Sequence, residues 1–336
     1  MLVAVTLKEV AELAGVSRSA VSRTFTEGAS VSDRTRKRVE EAAAKLGYHP
    51  NALASSLTTG RTKMIGLVSD NFHNPFFLQV FDRFTRGLQE RGLRPMLLNL
   101  SDAEDPVQSV RLLRQYSVDG VVVASSTLPP AFALEFRKAG IPVVQSFGRI
   151  KAKPDVHQVT IDNHACGRMA AETLVARGYR KIGFMGGPIS ATSTQDRWAG
   201  FQAALEKRND VHLSHSFAEA YTFDAGRSEM LRLLQAGDRA EAYFCGDDVT
   251  AIGALSAIQS LGLNCPDDVG IIGLNDMEMA GWENISLTTI HQPIDQMVKA
   301  SLELMDGLLA SPLQEPTAQL MACHVVERGT LRQLNS

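Results

Sequence analysis

The sequence of 336 residues predicts a small all-α domain at the front, followed by a larger α/β body of two lobes. Three observations lead to this prediction. Capped helical segments fill about the first 50 residues. From Lys63 onward, short apolar runs alternate with helical stretches, and this alternation restarts near Arg180. Each round is typical of a parallel sheet covered by helices on both faces.

Charge is distributed unevenly along the chain. Through Lys63 there are ten Lys and Arg against six Asp and Glu, whereas the remainder carries a net charge of −7. A basic front on an acidic body is typical of a protein that meets a polyanion at one end. The four cysteines show no metal-type spacing, so no metal, cofactor or disulfide framework is expected. Without a signal peptide or a long apolar run, the chain is expected to be cytoplasmic and to lack a membrane segment.

The first two helices form a helix-turn-helix pattern. Thr6 and Glu9 match a capping box, which predicts a helix over about 7–14, and Gly15 suits a sharp turn. Ser17 can cap a second helix that runs to about Phe25. A helix so placed can lie in a DNA major groove, with its first residues against the base edges.

A third helix and a short linker follow. Ser32 is the expected N-cap of the third helix and Gly47 its end. Basic residues at its start suit either phosphate contact or a solvated face: Arg34, Arg36, Lys37 and Arg38. The segment 51–62 can form barely two helical turns, which are unstable alone in water. It is either a plain linker or a hinge that folds when a partner orders it.

The runs VTLKEVAELAGVSRSAVSRTF and VSDRTRKRVEEAAAKLGYHPNALASSL resemble the DNA-binding head and hinge of the LacI/GalR family of bacterial transcription regulators. The resemblance covers essentially the first 60 residues. It implies a homodimer on a near-palindromic double-stranded operator, with a hinge leucine wedged into the minor groove. The expected DNA contacts are base-reading Arg18, Ser19 and Ala20, the wedge Leu57, and the phosphate-holding Thr6, Ser17, Ser22, Arg23 and Asn51.

The body is expected to bind a small molecule between its lobes, because ligands of open α/β sheets lie beyond the carboxyl ends of the strands. Aromatic and hydrogen-bonding residues follow the predicted strands, and the family resemblance, which likens the body to periplasmic sugar-binding proteins, includes an arginine in a setting seen here as RWAGF. The candidate effector residues are Phe76, Ser125, Ser126, Phe147, Arg149, Arg197, Tyr221, Gly246, Asp247, Asn275 and Gln292.

Two of these positions depart from the family pattern. Many sugar-sensing members carry Asn where Gly246 stands and Asp where Asn275 stands. Losing a carboxylate at Asn275 and having Arg149 and Arg197 nearby favours an anionic effector such as a sugar acid over a neutral sugar. Gln292 is expected at the last crossover between lobes, within reach of the effector.

The resulting domain division has three parts: 1–50 as the DNA-binding domain, 51–62 as the hinge, and 63–336 as the effector-binding and dimerisation domain. Lobe 1 is expected to span about 63–161 and 293–322, and lobe 2 about 162–292 and 323–336. The predicted function is a transcriptional repressor controlled by a sugar or sugar acid.

Two other classes of function, an enzyme and a solute-binding protein, fit the sequence less well. The sequence has no nucleophile elbow, Walker A or H-E-x-x-H motif of an enzyme. A metal pair at His212 and His215 is outweighed by a solvated pair on a polar stretch. A cytoplasmic solute-binding protein without a regulatory role is the remaining alternative, but that function leaves the basic front segment unexplained.

Overall fold

A computed structural model describes residues 5–26, 28–51, 56, 60–100, 106–129, 131–237 and 239–333. The chain divides into two compact units, residues 1–63 and 64–336. None of the helices in the described ranges is long and apolar enough to cross a bilayer.

The first unit is a three-helix domain of α1 (Leu7–Ala14), α2 (Arg18–Thr24) and α3 (Asp33–Leu46). Each helix has the N-cap that the sequence predicts, because the side chains of Thr6, Ser17 and Ser32 accept backbone N–H bonds. Gly15 and Gly47 end α1 and α3 in the left-handed conformation, which glycine adopts without strain. Val10, Val21 and Val39 form the centre of a small, fully buried core.

The second unit contains two six-stranded sheets. The first has the order β11-β5-β4-β3-β1-β2, and its strand pairs are all parallel. Its strands are β1 (Met64–Ser69), β2 (Arg94–Asn99), β3 (Gly120–Ala124), β4 (Val143–Ser146), β5 (His157–Ile161) and β11 (Ala318–Met321). The helices that follow its strands are α4 (Pro75–Glu90), α5 (Pro106–Gln115) and α6 (Ala131–Lys138). We call this layer lobe 1.

The second sheet, with its helices, is lobe 2. Its order is β12-β10-β9-β8-β6-β7, parallel except for β12 against β10. The strands are β6 (Lys181–Gly186), β7 (His212–Phe217), β8 (Ala242–Cys245), β9 (Gly270–Asn275), β10 (Thr289–His291) and β12 (His324–Val326). Its helices are α7 (Asn163–Ala176), α8 (Thr192–Leu205), α9 (Phe223–Gln235) and α10 (Asp248–Ser260), with a short 3-10 turn at Glu278–Gly281.

The chain passes between the two lobes three times. It crosses after β5, after β10 and between β11 and β12. After the second crossing, α11 (Ile294–Ala310) returns to lobe 1 and packs against α4 and β4. Both lobes therefore depend on chain segments that are far apart in sequence.

The predicted fold class is confirmed, and the differences lie in polar strands. The sequence did not predict β5, β7 or the three short strands β10, β11 and β12, because their residues are mostly polar or the strands are very short. His212 and His215 lie on β7, where residues three apart point to opposite faces. His215 stacks on Trp198 with ring centroids 4.7 Å apart, so these histidines do not form a metal pair. Among the described residues, no group of three His, Cys, Asp or Glu could hold a metal ion.

Candidate nucleic-acid interface and effector cleft

The exposed face of α2 carries the residues predicted to contact bases. Arg18 and Ser19 are exposed and Ala20 is half-buried, while Val21 faces the core with no exposed surface. Ser17 fixes the start of the helix, because its Oγ accepts the Ala20 N–H at 3.2 Å. The Arg18 guanidinium has no hydrogen-bond or ion-pair partner in the described part of the chain. Donors held on a short, capped helix are suited to base edges.

Of the remaining predicted DNA contacts, those that the structure describes are all exposed, and Thr6 has a structural bond. Ser22 and Arg23 are exposed on α2, and Asn51 is exposed beyond the end of α3. Thr6 is committed to the capping box, since its Oγ1 donates to Glu9 at 2.8 Å. The predicted wedge Leu57 lies outside the described residues.

Two of the four basic residues at the start of α3 have structural contacts. Arg36 Nη1 donates to the Thr24 carbonyl at 3.0 Å, and Arg38 Nη2 donates to the Gly15 carbonyl at 3.4 Å. These bonds hold α3 against the end of α2 and the turn before it. Arg34 and Lys37 are exposed, so they remain the better candidates for phosphate contact.

A cavity between the lobes of the second unit, which we call the cleft, lies at the carboxyl ends of the strands. Eight of the predicted effector residues line it: Phe76, Ser126, Phe147, Arg197, Tyr221, Asp247, Asn275 and Gln292. Asn71, Asn74, Phe77, Ile161 and Asn163 complete the lining. Its free volume is about 20 Å³, little more than a water molecule needs. The side chains of the two lobes therefore nearly fill the cleft.

Lobe 1 contributes an aromatic wall to the cleft. Phe76, Phe77 and Phe147 pack edge to face, with centroids 5.3, 5.8 and 5.7 Å apart. Phe147 has a φ of 68°, which is unusual for an aromatic residue and indicates backbone strain where β4 ends. Such a wall suits the apolar face of a ring-shaped ligand.

Lobe 2 contributes a polar wall centred on Arg197. Its Nε donates to Asn163 Oδ1 at 2.8 Å, and its Nη1 donates to the Gly246 carbonyl. Arg197 lies on α8 and Asn163 begins α7, and the two helices pack closely because each carries a glycine at the contact. A Cβ at Gly167 would overlap the Arg197 carbonyl, and a Cβ at Gly200 would overlap the His164 carbonyl. The glycine of RWAGF therefore sets the position of its arginine.

The Asp247 carboxylate joins the two walls. It accepts from Asn74 Nδ2 at 2.9 Å, Asn275 Nδ2 at 2.8 Å and the Val249 N–H at 2.7 Å. Burial raises the pKa of Asp247, while these bonds and Arg197 oppose that shift. An aspartate at position 275 would place a second carboxylate beside this one, so Asn275 fits the site by donating instead.

Three predicted effector residues do not line the cleft. Ser125 Oγ donates to Asp70 at 2.7 Å and accepts the Thr127 N–H at 3.1 Å. The Gly246 carbonyl accepts a hydrogen bond from Arg197, but Gly246 itself does not line the cleft. Arg149 Nη2 and Nε bind the Asp196 carboxylate at 2.6 and 2.9 Å, and this ion pair connects lobe 1 to lobe 2.

Ile161 and Asn163 line the cleft without having been predicted to do so. They flank Asp162, the residue that caps α7, at the point where β5 crosses to lobe 2. The run His157–Ile161 mixes His, Gln and Thr with Val and Ile, which hides a fully buried strand. The sequence feature that indicates these two residues is Asp162, which follows that run directly and can cap a helix.

Comparison with known proteins gives consistent results for both units. Residues 6–51 match the bacterial regulatory proteins of the lacI family, and residues 171–331 match the periplasmic binding protein-like domain. The HTH-type transcriptional repressor PurR of Escherichia coli O139:H28 is 32% identical over 332 residues, which cover 97% of this chain and 96% of the relative.

Solved structures extend the similarity to nearly the whole chain. The lac repressor dimer bound to operator and the anti-inducer ONPF superimposes with a TM-score of 0.86 at 25% identity, covering 98% of this chain and 99% of that one. The transcriptional regulator CelR in complex with cellobiose has a TM-score of 0.70 at 28% identity, covering 97% and 99%. These relatives are transcriptional regulators rather than enzymes.

Proposed function

The chain belongs to the lacI family of bacterial regulatory proteins, DNA-binding transcriptional regulators controlled by small-molecule effectors, and from this premise we propose that it is a homodimeric repressor that senses a sugar-like molecule. The observation that supports the effector class is the two-sided cleft, with an aromatic wall from lobe 1 and a hydrogen-bonding wall from lobe 2. A hydroxylated ring matches both sides, because its faces are apolar and its edges carry donors and acceptors.

DNA recognition is assigned to α2. We assign base reading to Arg18, Ser19 and Ala20, and register to phosphate contacts from Ser17, Ser22, Arg23, Thr6 and Asn51. Two such helices in a dimer would lie in successive major grooves of a near-palindromic operator, with Leu57 as the minor-groove wedge. We place this activity in the cytoplasm, with residues 1–50 as the DNA-binding domain, 51–62 as the hinge and 63–336 as the sensor.

The charges of the cleft favour a neutral effector over an acid. Arg149 is paired with Asp196, so Arg197 is the guanidinium that remains in the lining, and the lining also contains the Asp247 carboxyl. CelR, one of the similar regulators, is known in complex with cellobiose, a neutral sugar. We therefore propose a neutral sugar ahead of a sugar acid, which reverses the preference drawn from the two arginines in the sequence.

Control of DNA binding follows from linkage. An effector that changes operator affinity must have its own affinity changed by the same factor when the operator is bound. Since the cleft holds about 20 Å³ of free space, an effector binds only when the lobes or their side chains move. We propose that this movement changes the affinity of the dimer for its operator.

Selection of bound fragments from random DNA tests both halves of the proposal. The full-length protein is used with and without a panel of neutral sugars and the matching sugar acids, and thermal unfolding is recorded with the same panel. We expect a palindromic consensus, binding that weakens steeply with salt as counterions are released, and stabilisation by a neutral sugar. Flat salt dependence would refute DNA binding, and stabilisation by acids alone would refute the neutral effector.

A further inference from the structure

Lobe 1 has a second cavity at the end opposite to the cleft. It lies where β4 and β5 begin, between residues 140–143, the start of β5, the last turns of α11 and the loop 312–316. Its volume is about 340 Å³, against about 20 Å³ for the cleft. Small-molecule sites commonly have volumes of about 300–1,000 Å³. We call this space the edge cavity.

The floor of the edge cavity is apolar. Ile141, Val143, Val156 and Leu308 line it and are buried. Leu313 lies at its rim with 98% of its surface exposed, the highest exposure among the large exposed hydrophobic side chains of the described chain. Removing the apolar surface of Leu313 from water is favourable, so the rim is suited to covering an apolar ligand.

One buried polar group in the wall lacks a partner. His157 is 4% exposed, and its Nδ1 accepts the Thr317 N–H at 3.3 Å. The ring Nε2 is fully buried and has no hydrogen-bond partner in the described ranges, so a ligand in the cavity does not reach it. Burial, together with Arg137, lowers the pKa of His157, so the ring is neutral at pH 7. The neutral ring adds no second cation to the wall, so Arg137 is the cation that a ligand in the edge cavity meets.

The rim carries one cation and one anion. The Arg137 guanidinium is exposed and uses one nitrogen to bind the Asp155 carbonyl, which leaves further N–H groups for a ligand. Glu315 is exposed on the same lining. The remaining N–H groups of a guanidinium match a carboxylate, whereas the negative charge of Glu315 repels one.

We propose that the edge cavity is a second ligand site, for a small monocarboxylic acid with an apolar body. The carboxylate binds at Arg137, and the body packs against Ile141, Val143 and Leu308 beneath Leu313. The site lies at the amino ends of the strands, whereas the cleft lies at their carboxyl ends, so the two sites can be occupied independently.

Isothermal titration of the full-length protein with 4-methylpentanoate tests the proposal. We expect one acid bound per chain, with 3-methylbutylamine, which has an apolar body but a cationic head, binding at least tenfold more weakly. Arg137→Gln and Leu313→Ser should each weaken binding of the acid about tenfold, and Glu315→Gln should strengthen it severalfold. Leu261→Ser removes a leucine that is exposed in lobe 2 and should leave binding unchanged. All four positions are exposed, so these variants keep the fold.

Three results would overturn the proposal. The first is no binding of 4-methylpentanoate at millimolar concentration. The second is equal or tighter binding of the amine. The third is loss of acid binding in Arg197→Gln with retention in Arg137→Gln, because that pattern would place the acid in the cleft. The outcome does not depend on the proposed sugar, which binds elsewhere.

Discussion

Asn74 and Asp247 join the two lobes through a single buried hydrogen bond of 2.9 Å. The same asparagine caps α4, because its Oδ1 accepts the Phe76 N–H at 2.9 Å. One side chain thus begins a helix of lobe 1 and donates a hydrogen bond to a carboxyl group of lobe 2. Its two functions can be separated by substitution.

Asn74→Ala should lower the free energy of unfolding by about 1–3 kcal/mol, because it removes a helix cap and leaves the Asp247 carboxylate with one donor fewer. Asn74→Ser keeps a capping oxygen on a side chain too short for Asp247, so it should cost less. Urea unfolding monitored by circular dichroism measures both. Asn74→Ser without any loss would mean that the bond between the lobes contributes nothing, and equal losses in the two variants would mean that the cap contributes nothing.

The Arg149 and Asp196 ion pair should contribute about 1 kcal/mol to stability. The geometry is bidentate, but the side chains are 35% and 27% exposed, so solvent screens the charges. Unfolding of Arg149→Gln, Asp196→Asn and the double variant gives the coupling energy directly. Additive losses would show that the pair does not hold the lobes together.

Gly167→Ala should destabilise the protein by about 1–3 kcal/mol and weaken effector binding, because the new methyl group overlaps the Arg197 carbonyl and forces α8 away from α7. Gly87→Ala is the matched control. Its methyl group would overlap the end of the Leu302 side chain rather than a backbone atom, and a side-chain end can move. Thermal unfolding with and without the effector separates the two effects. Unchanged effector binding in Gly167→Ala would contradict the packing explanation for Arg197.

Stability should depend on pH through Asp248. Burial raises the pKa of this carboxyl to about 7, even though Thr289 and the Met277 N–H donate to it. An unfolded aspartate has a pKa of about 4, so between these two pKa values the folded protein holds a proton that the unfolded chain has released. The free energy of unfolding therefore falls as the pH rises through this range.

Asp248→Asn cannot ionise, so it should lack this pH dependence. Between pH 5 and 8 the wild type should lose roughly 1–3 kcal/mol relative to the variant. Urea unfolding midpoints at intervals of one pH unit measure the difference. Parallel curves for the two proteins would show that Asp248 does not titrate in this range.

Arg18→Ala should weaken binding to the selected operator by about 1–3 kcal/mol while changing binding to scrambled DNA much less, because base contacts discriminate between sequences. Arg34→Ala is the matched control, an exposed cation at the start of α3. It should weaken both DNAs by similar factors, since phosphate contacts are independent of sequence. Fluorescence anisotropy at fixed salt measures both. Equal losses for Arg18→Ala on the two DNAs would remove it from base reading.

Local chemistry made much of this protein predictable from its sequence. Thr6, Ser17 and Ser32 predict helix starts, Gly15 and Gly47 predict helix ends, and all five are confirmed because caps and turns act within a few residues. The apolar strands were equally readable. The position of the candidates after strands also followed from the sequence, because the carboxyl ends of parallel strands meet at one edge.

Only the tertiary structure decided which of those candidates meet. Arg149 pairs with Asp196, 47 residues away, and so leaves the cleft lining, whereas the unpredicted Asn163 enters it by binding Arg197. The polar strand β5 was not predicted because its burial comes from neighbours distant in sequence, and β7 was not predicted because it is mostly polar and only partly buried. Contacts of this kind depend on how lobes and helices pack, which no local pattern of residues encodes. The helix caps, the apolar strands and the family could therefore be read from local patterns, whereas packing decided the polar strands and the residues of the site.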